Sequence, residues 1–138
     1  RSHPERPERV QQVREGLVAE GLWQHCTQVP ARLADSREVA LVHERSHWDA
    51  IEWSVQQEAR ALLEFAESHE SLFLNAHSFE AARLACGSLL ELTESVMRGD
   101  IRNGLAVVRP PGHHAEAHAA MGFCVFNSVA VAAAHARS

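Results

Sequence analysis

The sequence predicts an α/β fold, a parallel sheet flanked by helices and helix-rich over these residues, and three observations carry that expectation. The run Leu105-Ala-Val-Val108 is wholly apolar, is introduced by the turn signal Asn103-Gly104, and has the pattern of a strand buried on both faces. A loop follows, Arg109-Pro-Pro-Gly-His-His-Ala115 continuing to Met121-Gly-Phe-Cys-Val-Phe-Asn127, and then an apolar helix, Val129-Ala-Val-Ala-Ala-Ala134. Most of the preceding chain repeats its apolar residues at helical spacing. One strand makes no sheet, so its partners are expected elsewhere in a longer parent chain.

From the start, Pro7 suits the first turn of a helix, Val10, Val13 and Leu17 recur at spacings of three and four, and Gly21 provides a stop. Arg6 and Glu8 are expected to be solvated charges at that helix start. Thr27 to Ala34, interrupted by Pro30, is at most an edge strand. Ser36 offers a cap for a short apolar face of Val39, Ala40 and Val42 that leads to His43. Trp48, Ile51 and Val55, then Ala59, Leu62 and Ala66, mark two further helices facing the core. His43 and His47 have the spacing of a metal pair, but no third ligand has supporting spacing, so metal binding is not expected there. After a polar break at Ser68 to Ser71, Leu72-Phe-Leu74 suggests a short strand and Asn75 to Ser78 a loop. Ser78 would cap a long helix with Ala82, Ala85, Leu89, Leu92 and Val96 on one face, ending near Gly99.

Composition narrows the classes. With 138 residues, 46% hydrophobic and 22% charged, the chain suits one domain or one piece of a domain, and both ends look cut. A net charge of −5 argues against the broad basic face of a direct nucleic-acid binder and suits a basic peptide instead. The three cysteines, Cys26, Cys86 and Cys124, are widely spaced, which suggests neither a disulfide framework nor a structural zinc site, and a reducing compartment follows. No apolar run or signal-peptide pattern points to a membrane or to secretion.

The candidate chemistry lies at His113 and His114. A strand, a loop and a helix in that order put both imidazoles at the carboxyl end of the strand, where open α/β sheets carry their sites. Neighbouring imidazoles can be tuned separately, one moving protons while the other donates a hydrogen bond to developing negative charge. Extended neighbours point in opposite directions, so Pro110, Pro111 and Gly112 are needed to bend the loop until both rings reach one centre. The other reading of the pair is as ordinary loop residues in a chain with ten histidines.

Arg109-Pro-Pro-Gly-His-His-Ala115 with Gly122-Phe-Cys-Val-Phe-Asn-Ser-Val-Ala-Val-Ala132 resembles the tandem-histidine region of the zinc-dependent histone deacetylases, in a class II and most nearly class IIb form. His3-Pro-Glu-Arg-Pro-Glu-Arg9 resembles that family's near-terminal motif, and Val42-His43 its Val-His pair. The resemblance implies a partial arginase/deacetylase-type fold. Residues 1–138 would then be the amino-terminal part of one catalytic domain, cut before the zinc ligands and the tyrosine on which the family relies.

It further implies hydrolysis of N6-acetyl-lysine on a protein such as a histone or tubulin. His114 would be general base and then general acid, with His113 assisting electrostatically. Gly122 and Phe123 would line the substrate tunnel, and the loop bearing Ser78 would border it and bind substrate backbone. Zinc belongs to the complete parent enzyme, with no ligand in this chain. Chromatin or cytoskeletal complexes in the nucleus or cytoplasm would be its setting. Two alternatives stay open, a polyamine or small-amine deacetylase of the same fold and a non-catalytic interaction module.

Overall fold

Pro7 stands at the head of the first helix, α1 (Glu8–Ala19), which stops where Gly21 takes a φ of +67° that side chains resist. The computed structural model describes residues 5–138, so His3 and Pro4 of the opening motif lie outside the described residues. A single 3-10 turn (Trp23–His25) and an irregular stretch lead to α2 (Ser36–Val39). The cap of α2 is Asp35 rather than Ser36. The Asp35 carboxylate accepts from the N–H groups of Arg37 and Glu38, and the Glu38 side chain returns to the Asp35 N–H at 2.8 Å, which closes a capping box.

Helices α3 (Arg45–Ser54) and α4 (Ala59–Glu67) bury Trp48, Ile51, Leu62 and Ala66 at the expected spacing. The long α5 (Ser78–Met97) runs as expected to Gly99, where φ is +78°. Its buried face is Phe79, Ala82, Ala85, Cys86 and Leu90, which matches the anticipated one at Ala82 and Ala85 and turns away from it beyond them. Leu89 is only half-buried and Val96 is exposed, because α6 (Ser128–His135) packs along α5 and selects the stripe. Ser78 is the first helical residue and caps nothing; its hydroxyl accepts from the Asn75 N–H at 2.9 Å and closes the loop before the helix.

No strand forms among the described residues. Leu105–Val108 takes no regular structure, with Leu105 70% exposed, because a ladder needs a neighbour and none of the described residues supplies one. Leu72–Leu74 likewise forms no strand, with Leu74 buried and Phe73 exposed. The stretch from 27 to 34 gains its backbone bonds from α5 instead. The Ala34 N–H donates to the Arg83 carbonyl at 3.0 Å, and Arg83 Nε donates back to the Ala34 carbonyl at 3.0 Å. No helix of the described chain is long and apolar enough to cross a membrane.

The core is centred on Phe126. It stacks on Trp48 with centroids 5.6 Å apart, and Phe79 meets Trp48 edge-on at 4.9 Å. Beneath this cluster α5 crosses the stretch before α2 so closely that a Cβ on Gly87 would lie 2.5 Å from the Ala34 nitrogen and 2.7 Å from the Leu33 carbonyl carbon. Backbone cannot step aside as a side-chain tip can. Gly87→Ala is therefore expected to destabilise the fold by about 1–3 kcal/mol, seen as a lower thermal unfolding midpoint; an unchanged midpoint would mean that the crossing is looser than described.

Candidate functional site

The site is built on a tight turn. Met121 and Cys124 form an antiparallel bridge, with the Met121 N–H donating to the Cys124 carbonyl at 3.1 Å and the Cys124 N–H to the Met121 carbonyl at 2.9 Å. The two residues between them, Gly122 and Phe123, have φ of +55° and +66°, the pair of left-handed conformations that defines a type I′ turn. Glycine takes that conformation freely; for Phe123 it costs about 1–3 kcal/mol. The cost is met by a second loop: the Gly122 N–H donates to the Glu70 carbonyl and the Phe123 N–H to the Ser71 carbonyl, both at 2.9 Å. Ser71 is itself left-handed, with φ of +51°.

Against this turn lies the tandem pair. His113 and His114 are exposed, with ring centroids 4.3 Å apart, on a turn closed by the Ala115 N–H donating to the Gly112 carbonyl at 3.2 Å. A Cβ on Gly122 would come within 2.9 Å of His114 Cγ and Cδ2, so glycine here admits the imidazole as well as the turn. The His114 N–H donates to Cys124 Sγ at 3.4 Å, and the thiol donates to the Gly122 carbonyl at 3.4 Å. Burial pushes the Cys124 thiol above its ordinary pKa, the His114 and Ala115 N–H groups acting the other way. A neutral thiol is a link between turn and histidine, not a nucleophile.

His113, His114, Gly122, Phe123 and Ser71 line one open cavity of about 620 Å3, with Glu5, Arg9, Val108 and Pro111. Phe123 also walls an adjoining cavity of about 440 Å3, and Ser78 lies there with Phe73, Asn75 and His77. The serine that lines the histidines' cavity is thus Ser71. Sequence reading passed over it, since only hydrogen bonds from Gly122 and Phe123 bring it to the site. Glu5 ties the opening segment to the loop. Its carboxylate lies 3.0 Å from Arg109 Nε and accepts from Arg9 Nε at 3.2 Å, while Arg9 also donates to the Val108 carbonyl at 2.8 Å. Arg6 pairs with Glu8 only at 3.9 Å, Arg6 half-buried and Glu8 exposed.

His43 and His47 complete the support from the core. His43 Nε2 accepts the Asn127 N–H at 2.8 Å, so its proton sits on Nδ1, facing the Ala117 and Glu116 carbonyls without a short hydrogen bond to either. His47 Nε2 meets the Val125 carbonyl at 2.8 Å and must donate. With both Nε2 atoms so engaged, the pair is no metal site.

The Histone deacetylase domain family matches residues 3–138. This chain belongs to the histone deacetylase family. Curated relatives include the polyamine deacetylase HDAC10 of Danio rerio, 40% identical over 131 residues covering 95% of this chain and 19% of that protein. Histone deacetylase 5 of Arabidopsis thaliana is 43% identical over 132 residues, covering 95% and 20%. Histone deacetylase HDA1 of Saccharomyces cerevisiae is 40% identical over 143 residues, again covering 95% and 20%. The chain thus spans about a fifth of the length of these relatives. Among solved structures, the crystal structure of the HDA15 HD domain superposes with a TM-score of 0.85 at 35% identity, covering 99% of this chain and 37% of that one. That likeness supplies the arginase/deacetylase fold; the parallel sheet is not present among the described residues.

Deacetylases of this family are generally zinc-dependent, yet among the described residues no three His, Cys, Asp or Glu side chains are placed to hold a metal together. The donors among the described residues do not fit a zinc ion.

Burial holds both core histidines below the ordinary imidazole value of 6.5. For His43 the charge of His47 adds to burial; for His47 the Val125 carbonyl opposes it, His69 and His118 add to it and Glu44 opposes it. A depressed folded-state pKa means that the unfolded chain takes up protons first as the pH falls. The stabilisation is therefore complete above about pH 6.5 and is lost as the pH drops through the depressed values. The unfolding midpoint should fall on acidification from pH 7 toward 5, and the double variant His43→Gln, His47→Gln should flatten that dependence. An identical slope in the variant would show that other groups cause it.

Proposed function

We propose that this chain is the amino-terminal part of one class II, class IIb-like, catalytic domain that hydrolyses the amide of N6-acetyl-lysine, and that it contributes proton transfer and the substrate tunnel. The single observation that carries this reading is the shared cavity of His113, His114, Gly122 and Phe123 in a chain of the histone deacetylase family. His114, seated against Gly122, takes a proton from the attacking water and returns it to the departing lysine amine. His113, 4.3 Å away ring to ring, donates a hydrogen bond to the oxygen that gains negative charge. Gly122 admits a close approach, Phe123 covers the methylenes of the lysine stem, and Ser78 borders the adjoining cavity through which flanking substrate backbone would pass. Zinc would be held by residues beyond Ser138. Acetylated histone or tubulin, met in nuclear or cytoplasmic complexes, is the proposed substrate class.

A second reading is favoured by one observation, the likeness to proteins named polyamine deacetylase HDAC10 in Danio rerio and Homo sapiens. On that reading the same histidines act on an acetylated small amine. Parallel assays of an acetyl-lysine peptide and an acetylpolyamine with the whole protein separate the two, the first reading requiring the higher kcat/KM on the peptide.

In the whole protein, His114→Ala should lower kcat by about 10²–10⁴-fold with zinc content retained, and His113→Ala should lower kcat less. Metal stoichiometry beside steady-state kinetics checks both, and a fully active His114 variant removes the assignment. Phe123→Ala should raise KM for the peptide more than it alters the pH profile; a shifted profile at unchanged KM would contradict the tunnel role. The 138 residues alone, dialysed against zinc, should retain no stoichiometric metal and show no turnover. One tightly held zinc with turnover would overturn the division of labour.

A further inference from the structure

Val125, Phe126 and Asn127 run directly beneath the tandem-histidine turn. A Cβ on Gly112 would lie 2.5 Å from the Phe126 carbonyl oxygen and 2.7 Å from the Ser128 nitrogen, so the turn rests on this segment with no spare room. Three groups of the segment are gripped from the other side. The Asn127 N–H is held by His43 Nε2 at 2.8 Å, the Val125 carbonyl by His47 Nε2 at 2.8 Å, and the Phe126 ring meets both imidazoles edge-on with centroids at 5.6 Å. The two histidines lie 4% and 3% exposed, with ring centroids 5.1 Å apart.

Asn127 passes this constraint upward. Its Nδ2 donates to the Ala115 carbonyl, the residue after His114, at 3.1 Å, while its Oδ1 accepts the Ala130 N–H at 3.1 Å and caps α6. A second tie reaches the far side of the loop from the base of α3, the Glu44 N–H donating to the Ala117 carbonyl at 2.8 Å.

We infer that His43 and Asn127 are positioning residues for the tandem histidines, forming the relay His43 Nε2, Asn127 N–H, Asn127 Nδ2 and Ala115 carbonyl that sets where His114 stands. The inference rests on the reading of His114 as the proton carrier. Neither residue lines the histidine cavity, so neither can act on substrate directly. A displacement of about 1 Å at the reacting group can cost on the order of 10²-fold in rate, which makes a remote hydrogen bond visible in kcat.

The test uses the whole deacetylase with an acetyl-lysine peptide and an acetylpolyamine as substrates, and three variants. Asn127→Asp keeps the cap oxygen for Ala130 and puts an anionic oxygen where the donor to Ala115 stood, so the cap of α6 is kept while the relay is cut. His43→Leu removes the acceptor, and His43→Gln carries an amide oxygen to about the position of Nε2. Expected are a fall in kcat of about 10- to 100-fold for Asn127→Asp and His43→Leu, KM within about twofold, and recovery of most of the loss in His43→Gln. Wild-type kcat in Asn127→Asp overturns the relay even if His43→Leu fails to fold. A loss in His43→Gln equal to that in His43→Leu overturns the acceptor role. Inactivity of the unsubstituted protein on both substrates would instead strike the functional reading itself.

Discussion

Two buried imidazoles in opposite neutral tautomers hold the segment on which the candidate site rests. His43 accepts from Asn127 and His47 donates to Val125, so the backbone between them is fixed by one donor and one acceptor, with Phe126 driven into the core between the rings. An apolar pair could fill the same volume but would leave an N–H and a carbonyl buried without partners, at about 1–3 kcal/mol each. Packing and polar satisfaction thus act on the same three residues. The floor of the tandem-histidine turn is set by the aromatic core rather than by the loop itself.

The other side of the site is held under strain. Phe123 is held left-handed by the Met121–Cys124 bridge and by the Glu70 and Ser71 carbonyls, which take the N–H groups of Gly122 and Phe123, and the gain is an aromatic wall on the same cavity as His113 and His114. Glu5 adds a third anchor by joining Arg9 of α1 to Arg109 at the start of the loop. Because the carboxylate is largely buried while both guanidinium groups remain partly in water, this pair of contacts serves location more than stability. Histidines from a loop can serve proton transfer when core, turn and opening segment all define the same spot.

What the sequence disclosed divides along the range of the interactions. Helices were legible wherever three-to-four spacing met a local stop, as in α1 before Gly21 and α5 before Gly99, because both signals lie within a turn of the backbone they control. The stripe buried on α5 was legible at Ala82 and Ala85 but not beyond them, where packing by α6 and by the stretch before α2 turns Cys86, Gly87 and Leu90 inward. Strand patterns at Leu105–Val108 and Leu72–Leu74 report a preference for extension, but pairing depends on a distant partner. The cap of α2 was open to a better reading: Asp35 with Glu38 three residues on is the capping-box spacing. At the site, the Pro-Pro-Gly-His-His loop was legible because its chemistry is contiguous. Ser71 and the roles of His43 and His47 were not, for their partners lie far along the chain.

The central claim is the pair of tautomers beneath the site, and nitrogen-15 NMR of the imidazole rings near pH 7 reads it directly. His43 should show a neutral ring protonated at Nδ1, and His47 a neutral ring protonated at Nε2. A charged ring at either position, or a His43 proton on Nε2, would contradict the account.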